Sequence, residues 1–260
     1  MDQRANWGEF RARELVELAS RDAILLVPVA AMEQHGPHLP VATDTLIGRE
    51  VTVRTARLLS GRGLPCITTD PVWAGLSEHH MSFGGTITLD FATFQAVIGH
   101  ICHSAHRHGF SRLCIVNSHG GNIAAIKTIA DELTFDLGIP VLSTTAWLLA
   151  EPRLATLLDR QKGVRHACEA ETSMIMAIAP DLVDTTRLAE ADCPDPRDEG
   201  RPGDTELYRW RALAERTPTG CIGIASAADP QKGQRLLDAC AEVLADHLSA
   251  PGVWAPAGPR

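Results

Sequence analysis

The segment "AILLVPVAAMEQHGPHLPVATDT", residues 23–45, joins an apolar run to a loop that is rich in ionisable side chains. The run at 23–30 is apolar throughout, which is typical of a strand buried on both faces of a parallel sheet. The loop contains Glu33, His35 and Asp44, and its prolines disfavour a helix. Because ligands bind at the carboxyl ends of parallel strands, we expect these side chains to line a site there. The alternative is a polar loop in which Asp44 only caps the next helix.

Apolar runs and helical patterns alternate along the rest of the chain. Further strands are predicted at 65–73, 112–118 and 139–147, and helices at 45–60, 90–109, 121–138 and 229–248. Strands that alternate with helices of this length are typical of parallel βαβ units. A polar stretch rich in Pro and Gly predicts a surface excursion at 184–206, followed by a short helix at 205–216. Since neither a repeat nor a second core is visible, we expect residues 1–260 to form one α/β domain.

The composition excludes several classes of partner. The formal net charge is −8 and no run is rich in Lys or Arg, which argues against nucleic acid or an anionic membrane. The N-terminus lacks the apolar region of a signal peptide, and no apolar stretch approaches the roughly 20 residues of a membrane span. The seven cysteines form no C-x-x-C pair, so reduced thiols are expected. We therefore expect a cytoplasmic protein.

A second segment places a histidine directly after a predicted strand. His119 in "VNSHGGN" (116–122) is followed by two glycines, which allow the backbone to approach a ligand closely. A lone histidine at a strand end is more often structural, but the first loop needs further ligands if it binds metal. Together with Glu33, His35 and Asp44, it would suit Zn²⁺, Mn²⁺ or Fe²⁺.

A third segment, "RHACEAETSMIMAIAP" (165–180), is expected to be helical. On a helix, His166 and Glu169 lie about 60° apart and share a face, whereas Glu171 lies about 140–160° from both. We therefore predict that Glu169 is a metal ligand and that Glu171 is a buried structural acid held by hydrogen bonds.

Four segments in order, "EQHGPHLPVATD", "SEHHMSFGGTITL" (77–89), "NSHGGN" and "HACEAETS", resemble the diagnostic segments of the creatininase family of amidohydrolases. The similarity extends over residues 20–180, with a weaker match in "TPTGCIGIAS". The resemblance implies a three-layer α/β/α sandwich with a mostly parallel sheet, hydrolysis of cyclic or linear amides, and often a homohexamer. It also implies two divalent metal ions per subunit, zinc or manganese or both, with iron as an alternative.

The same resemblance implies roles for individual residues. Glu33 and His119 would hold one metal, His35 would hold the other, and Asp44 would bridge them. A hydroxide between the two metals would attack the carbonyl carbon of a small-molecule amide substrate. His166 matches the family's catalytic histidine and would donate a proton to the leaving nitrogen.

Two positions depart from the pattern of true creatininase. Gly121 stands where that enzyme has a further carboxylate ligand, and Glu169 is expected to replace it. Lys162 stands where it has a tryptophan that closes over creatinine, which argues against creatinine as the substrate. A further set of residues is expected to bind substrate or to support the ligands: His79, Gly120, Gly121, Asn122 and Trp147.

Several alternatives stay open. If residues 79 and 80 lie on a strand, only one of these two histidines can point inward, and the role of His38 is undecided. The histidines on the predicted helix 90–109 are expected to lie on a solvated or subunit-contacting face. In place of a binuclear hydrolase, the ligand set would also suit a mononuclear non-haem iron enzyme. A third alternative is a metal-binding protein of this fold that has no catalytic activity.

Overall fold

Four parallel strands form one sheet in the order β2-β1-β3-β4 in the computed structural model, which describes residues 4–194 and 209–256. The strands are β1 (Ile24–Val29), β2 (Cys66–Thr68), β3 (Arg112–Asn117) and β4 (Val141–Thr145). Val29 at the end of β1 is in register with Asn117 at the end of β3. The loops that follow these two central strands therefore leave the same edge of the sheet side by side.

Helices connect and cover the strands. Within the described residues they are α1 (Ala12–Ala19), α2 (Thr43–Gly61), α3 (Phe91–Arg107), α4 (Ile123–Leu137), α5 (Ala146–Leu149), α6 (Glu151–Leu154), α7 (Glu169–Ile178), α8 (Leu188–Ala191) and α9 (Pro230–Leu248). The Asp90 side chain caps α3 by accepting from the Thr93 N–H at 2.7 Å, as its sequence predicts. Across the described part of the chain, no helix is both long enough and apolar enough to cross a membrane.

The sheet separates two apolar clusters, and successive residues of β1 point alternately into them. Ile24 and Leu26 belong to a cluster that includes side chains of α2, α7 and α9. Leu25 and Val27 belong to the other cluster, with side chains of α1, α3 and α4. Every residue of β1 is buried, as expected for a strand covered on both faces. The predicted three-layer α/β/α arrangement is thus confirmed.

Most predicted elements are confirmed with small shifts in their bounds, and four differ. β2 ends at Thr68, and beyond Pro71, which lacks an N–H donor, only Val72 bridges to β1. The helix predicted at 205–216 is a single 3₁₀ turn at Leu213–Glu215, and positions 205–208 lie outside the described residues. The described part of the predicted excursion at 184–206 forms a 3₁₀ turn and α8, and positions 195–206 lie outside the described residues.

The fourth difference concerns the segment 165–180, where α7 begins only at Glu169. Ala167 adopts a φ of 51°, the left-handed region that a continuous helix cannot contain. His166 instead pairs with Ile222, whose N–H donates to the His166 carbonyl at 2.8 Å. The angular relation expected between residues 166 and 169 on one helix therefore does not apply.

Candidate metal centre

The carboxyl edge of the sheet brings together four of the predicted ligands. Glu33 and His35 lie on the loop after β1, Asp44 lies in the first turn of α2, and His119 follows β3. All four side chains are buried. Ala42 occupies the N-cap position of α2, and Asp44 is not the capping residue. The Asp44 carboxylate is turned into the cluster.

The nitrogen and oxygen atoms of the cluster lie close enough together to bind the same metal ion. His119 Nδ1 is 3.1 Å from Glu33 Oε2 and 3.1 Å from Asp44 Oδ2. On the other side, His35 Nε2 is 3.4 Å from Asp44 Oδ1. The two oxygens of Asp44 thus face two different imidazoles, which is the geometry expected of a bridging carboxylate.

Neighbouring groups fix which ring nitrogen of each histidine faces the cluster. His119 Nε2 lies 3.2 Å from the Leu76 carbonyl oxygen and 3.3 Å from Ser77 Oγ, which leaves Nδ1 for the carboxylates. His35 Nδ1 lies 3.1 Å from the Glu33 carbonyl oxygen, which leaves Nε2. A second-layer bond of this kind is what holds metal-binding histidines in one tautomer.

The structure places the two glutamates of α7 in the reverse of the predicted arrangement. Glu171 Oε2 is 4.0 Å from His35 Nε2, and Glu171 forms a potential metal-binding group with His35 and His166. Glu169 belongs to none of the potential metal-binding groups found among the described residues. The predicted placement of Glu169 in the cluster is therefore wrong, and the carboxylate that joins the cluster from this helix is that of Glu171.

Glu169 is occupied by partners of its own. Its carboxylate accepts hydrogen bonds from the backbone N–H groups of Asp159 at 2.8 Å and Arg160 at 3.0 Å. Lys232 Nζ, from α9, donates to Glu169 Oε1 at 2.5 Å. The charge of Glu169 is thus neutralised by a cation of the protein, and the structural role predicted for Glu171 belongs to Glu169.

Three buried atoms of the cluster accept or donate no aligned hydrogen bond: Glu33 Oε2, His35 Nε2 and Asp44 Oδ2. They lie at ion-pair distance from neighbouring groups, but the directions are wrong for hydrogen bonding. Buried polar atoms without partners carry a large free-energy cost. Since all three belong to one cluster of oxygen and nitrogen donors, the residues present fit divalent metal ions.

The pKa values show how the cluster balances its charge without metal. Burial lowers the pKa of His35, but the carboxylates of Asp44, Glu171 and Glu33 outweigh burial and raise it to about 9. Burial also lowers the pKa of His119, and Glu33 and Asp44 again raise it well above the ordinary value. Protonated imidazoles therefore compensate the carboxylates, and bound cations would have to displace those protons.

His166 reaches the cluster from the extended segment before α7. Its Nε2 lies 2.9 Å from the Gln34 carbonyl oxygen, and its Nδ1 lies 3.6 Å from Glu33 Oε1. Gln34 also contacts His80, with 3.0 Å between Gln34 Nε2 and His80 Nδ1. His80 Nε2 in turn is 3.4 Å from Glu33 Oε1. Gln34 was not among the predicted site residues and the sequence left the role of His80 open, although both stand inside the motifs that pointed to the site.

His79 and His80 both reach the site, because they lie on a 3₁₀ helix at Glu78–Phe83 and not on a strand. His80 packs against the His166 ring at 4.5 Å between centroids, and His79 stacks on the His119 ring at 5.7 Å. The predicted alternation, in which only one of the pair points inward, is therefore wrong. His38 lies apart from the cluster, where its Nε2 is 2.8 Å from Thr172 Oγ1 on α7.

The remaining predicted residues support the centre in different ways. A Cβ atom at Gly121 would lie 2.2 Å from the Leu76 carbonyl oxygen and 2.4 Å from His119 Nε2, so no side chain fits there. Asn122 accepts from the Leu76 N–H at 3.0 Å and thereby holds the carbonyl group that orients His119. Gly120 and Trp147 line the cavity that opens onto the cluster.

This cavity has a volume of about 790 Å³. Its inner wall contains Glu33, Asp44, His119, His166 and Glu171. Pockets of this size accommodate drug-sized ligands. The potential ligands thus lie at the bottom of a cleft that a substrate larger than a few heavy atoms can enter.

The family model for creatininase, described as creatinine amidohydrolase, matches residues 5–248. The chain therefore belongs to the creatininase family. It is 31% identical over 255 residues to the mycofactocin precursor peptide peptidase of Mycobacterium ulcerans (strain Agy99), covering 96% of this chain and 92% of the relative. It is 29% identical over 256 residues to the creatinine amidohydrolase of Pseudomonas putida, covering 93% of each chain.

Solved structures of creatininase share the fold. A creatinine amidohydrolase (creatininase) structure superposes with a TM-score of 0.78 at 26% identity, covering 98% of this chain and 100% of that chain. A structure described as "Creatininase Mn" gives a TM-score of 0.77 at 26% identity, covering 94% and 97%. A mutant creatininase described as "Zn-Zn type" gives 0.78 at 26% identity with the same coverage, 94% and 97%.

Proposed function

We propose that this chain is a binuclear metal-dependent hydrolase that cleaves the carbon–nitrogen bond of a small cyclic amide, a formamide or a peptide-like substrate. The observation that carries the proposal is the position of Asp44, whose two oxygens face two different imidazoles, those of His35 and His119. A carboxylate between two incomplete ligand sets is the arrangement that a pair of divalent cations requires. Membership of the creatininase family supports the same class of reaction.

The distances support two ligand sets. Glu33, Asp44 and His119 would hold one ion, and His35, Asp44 and Glu171 would hold the other. These donors suit zinc and manganese, and also iron, and related creatininase structures are described as Mn and Zn-Zn forms. When bound, such a pair supplies an activated water molecule and Lewis acidity at the carbonyl group.

We assign proton transfer to His166. Because its Nε2 lies 2.9 Å from the Gln34 carbonyl oxygen, the proton of the neutral ring sits on Nε2, and Nδ1 is available to accept another. Burial, with the charges of His35 and His80, holds the pKa of His166 well below the ordinary value, so the ring is neutral before the reaction. His166 therefore takes a proton at Nδ1 from the attacking water and passes it to the leaving nitrogen.

The cavity favours a substrate larger than creatinine. Its volume of about 790 Å³ lies in the upper part of the range for drug-sized ligands. Lys162 is exposed and does not line this cavity, so position 162 supplies no aromatic cover for a small flat ring. We therefore expect creatinine to be a poor substrate compared with extended amides or short peptides.

The organisation of the protein is part of the proposal. The family match over residues 5–248 supports one creatininase-like domain for the whole chain. The cysteines of the described residues are all free thiols, which supports a reducing, cytoplasmic location. We propose a homohexamer, and light scattering on the purified protein would test that state directly.

The test of the proposed reaction combines metal analysis with a substrate panel. Protein stripped by a chelator and reconstituted with Zn²⁺ or Mn²⁺ should bind about two ions per chain and regain hydrolytic activity. The panel contains creatinine, lactams, formamides and short peptides, and creatinine should be among the slowest. One tightly bound iron per chain would favour the mononuclear alternative. Two bound ions without turnover of any panel member would favour a metal-binding protein without catalytic activity.

A further inference from the structure

The wall of the cavity outside the metal centre is unusually basic for this chain. The chain carries a formal net charge of −8, yet four arginines line the cavity, Arg165, Arg209, Arg211 and Arg216. Glu78 is the one acidic residue of the described lining that does not belong to the cluster of potential metal ligands. The local balance of charge at the entrance is therefore the opposite of that of the whole protein.

Three of these arginines come from one segment, residues 209–216. The segment is fixed by its buried Leu213 and packs against the 3₁₀ helix at Glu78–Phe83 through the turn at Leu213–Glu215. Since that helix carries His79 and His80, the segment forms a wall directly beside the centre. The arginines are thus placed by packing contacts and do not extend from a distant surface.

Arg216 acts electrostatically on a histidine beside the potential metal ligands. Burial is the main cause that lowers the pKa of His79 to about 4, and the charges of His119 and Arg216 add to it. His79 stacks on His119 with 5.7 Å between ring centroids. The Arg216 guanidinium therefore lies within electrostatic range of a residue that packs on a potential metal ligand.

The arginines differ in how far the protein already satisfies them. Arg165 Nη1 donates to the Val164 carbonyl oxygen at 3.1 Å, and Arg209 Nη2 lies 3.7 Å from Glu215 Oε2. In the described ranges 4–194 and 209–256, no acidic side chain pairs with Arg211 or Arg216. Among the described residues, these two cavity-lining arginines thus have no acidic partner.

We propose that Arg211 and Arg216 bind a carboxylate of the substrate, so that the substrate is an acyl amino acid or a short peptide with a free terminal carboxylate. This proposal rests on the proposed hydrolase function, because the carboxylate would position the amide at the metal centre. A guanidinium presents a planar fork of N–H donors that matches the two oxygens of a carboxylate. Trp147 and Leu148 add apolar wall to the same cavity, which suits the carbon atoms between the two ends of such a substrate.

The test measures binding separately from turnover. Three probes are titrated into the zinc-loaded full-length protein by calorimetry: acetyl-trialanine as the free acid, the same peptide as the carboxamide, and a phosphoserine-containing tripeptide carboxamide. We expect the free acid to bind about tenfold more tightly than the carboxamide at low ionic strength, because a hydrogen bond to a charged group contributes about one decade in affinity. Tight binding of the phosphoserine probe alone would overturn the assignment of a carboxylate.

Variants connect the preference to the two arginines. In R211Q/R216Q the preference for the free acid should fall below about threefold, whereas R211K/R216K should recover part of it by retaining the charge. R21Q is the matched control, since Arg21 is exposed and precedes β1 at the opposite edge of the sheet. A preference that persists unchanged in R211Q/R216Q would mean that the metals take the carboxylate, and it would overturn the proposal. Metal content measured in each variant confirms that the centre is intact.

Turnover of the same peptides separates this proposal from the proposed function. If the free acid binds through the arginines but no amide is cleaved by the metal-loaded protein, the carboxylate site stands and the hydrolase function fails. If acid and carboxamide forms are cleaved with equal kcat/KM and bind equally, the hydrolase function stands and the carboxylate site fails.

Discussion

Glu169 and Glu171 stand two residues apart in the first turn of α7, and their surroundings differ in one decisive respect. Both are buried, at 0% and 6% exposure. Glu169 faces the ammonium group of Lys232 and two backbone N–H groups. Among the described residues, Glu171 accepts a hydrogen bond from the Ala167 N–H at 2.6 Å, and the charged groups that act on it are His35, Asp44 and Glu33.

The contrast shows how the fold distributes its cations. A buried carboxylate is tolerated only when a cation or several donors compensate its charge. The protein supplies a permanent cation to Glu169, but among the described residues no lysine or arginine reaches Glu33, Asp44 or Glu171. That centre is left with imidazoles, which can give up their protons to a metal ion. Glu169 therefore belongs to a structural ion pair, whereas Glu171 belongs to a cluster whose donors fit metal cations.

The largest expected effect comes from exchanging the two glutamates for glutamine one at a time. Glu171→Gln should reduce the metal content from about two ions per chain to about one and should abolish hydrolysis, because it removes a ligand of the second ion. Glu169→Gln should keep both ions and should lower the free energy of unfolding by roughly 3 kcal/mol, because Lys232 loses its buried partner. Elemental analysis and thermal unfolding of both variants measure the two effects.

Each of these variants is the control for the other, since the two substitutions are chemically identical. The contrast between a structural and a metal-binding carboxylate would be broken by the reverse result, in which Glu169→Gln loses metal and Glu171→Gln only loses stability.

The same pair of residues shows how far the sequence could predict the site. The placement of Glu33, His35 and Asp44 could be predicted because it depends on a local pattern, a buried strand followed by a loop. The choice between Glu169 and Glu171 could not, because it depends on the backbone at Ala167 and on Lys232, which lies 63 residues away from Glu169 in the chain. Periodicity on a helix is informative only where the helix exists.

The positions of His79, His80 and Gln34 also could not be predicted from local sequence patterns. The alternation rule failed for His79 and His80 because the chain there forms a 3₁₀ helix, whose turn brings both rings to the centre. Gln34 was missed because its role rests on contacts with His80, His166 and the Gly220 carbonyl oxygen, which lie far apart in sequence. The central strands and the long helices between them depended on strong apolar patterns and could be predicted well, whereas the order of the strands in the sheet was not predicted.

The second effect concerns His166, which touches the centre without being one of the proposed ligands. His166→Ala should keep about two ions per chain and should lower turnover by about 10²–10⁴-fold, the usual effect of removing a general acid–base group. The loss should be smaller for amides with a good leaving group, because their nitrogen needs less protonation. Metal analysis and turnover on two substrates that differ only in the leaving group provide the measurement.

His103→Ala is the matched control, because His103 is exposed on α3 and is not part of the cavity wall. If His166→Ala loses a metal ion together with its activity, His166 is a ligand and proton transfer belongs to another residue.

The third effect is the pH dependence of stability, which depends on the protons that the cluster of potential metal ligands holds. The pKa of His35 is raised to about 9, so the native protein without metal keeps a proton that the unfolded chain has largely lost above about pH 6.5. Burial, partly opposed by His35, raises the pKa of Glu171 to about 8, which has the same sign. The stability that these protons bring is complete at the lower pH and is lost as the pH rises. The melting temperature of the chelator-treated protein should therefore fall between about pH 6.5 and 9.

Metal affinity should change in the opposite direction over the same interval. Each proton that a metal ion displaces from the centre makes its affinity rise about tenfold per pH unit until the pKa is reached. The stabilisation by added Zn²⁺ should therefore grow as the pH rises. A melting temperature of the chelator-treated protein that rises between about pH 6.5 and 9 would contradict the proposed balance of charge.

The smallest effect on metal binding is expected from a change of Lys232, the cation that pairs with Glu169. Lys232→Met should destabilise the protein by roughly 3 kcal/mol, because it leaves Glu169 buried without a cation. Combined with Glu169→Gln, the loss should be smaller than the sum of the single losses by about 1–3 kcal/mol, which is the coupling free energy of a contacting pair. The metal affinity should change by less than about tenfold, which is the low end for residues that act through a ligand's support.

The reason for the small effect on metal lies in the other bonds that hold the start of α7. The Glu169 N–H donates to Gln161 Oε1 at 3.1 Å, and the Glu169 carbonyl oxygen accepts from Ser173 Oγ at 2.6 Å. The Ala167 N–H holds the Glu171 carboxylate independently of Lys232. Chemical denaturation and zinc titration of the two single variants and the double variant measure the stability and the metal affinity for this double-mutant cycle. Loss of a metal ion in Lys232→Met would show that the two carboxylates are not independent and that the ion pair positions the ligand.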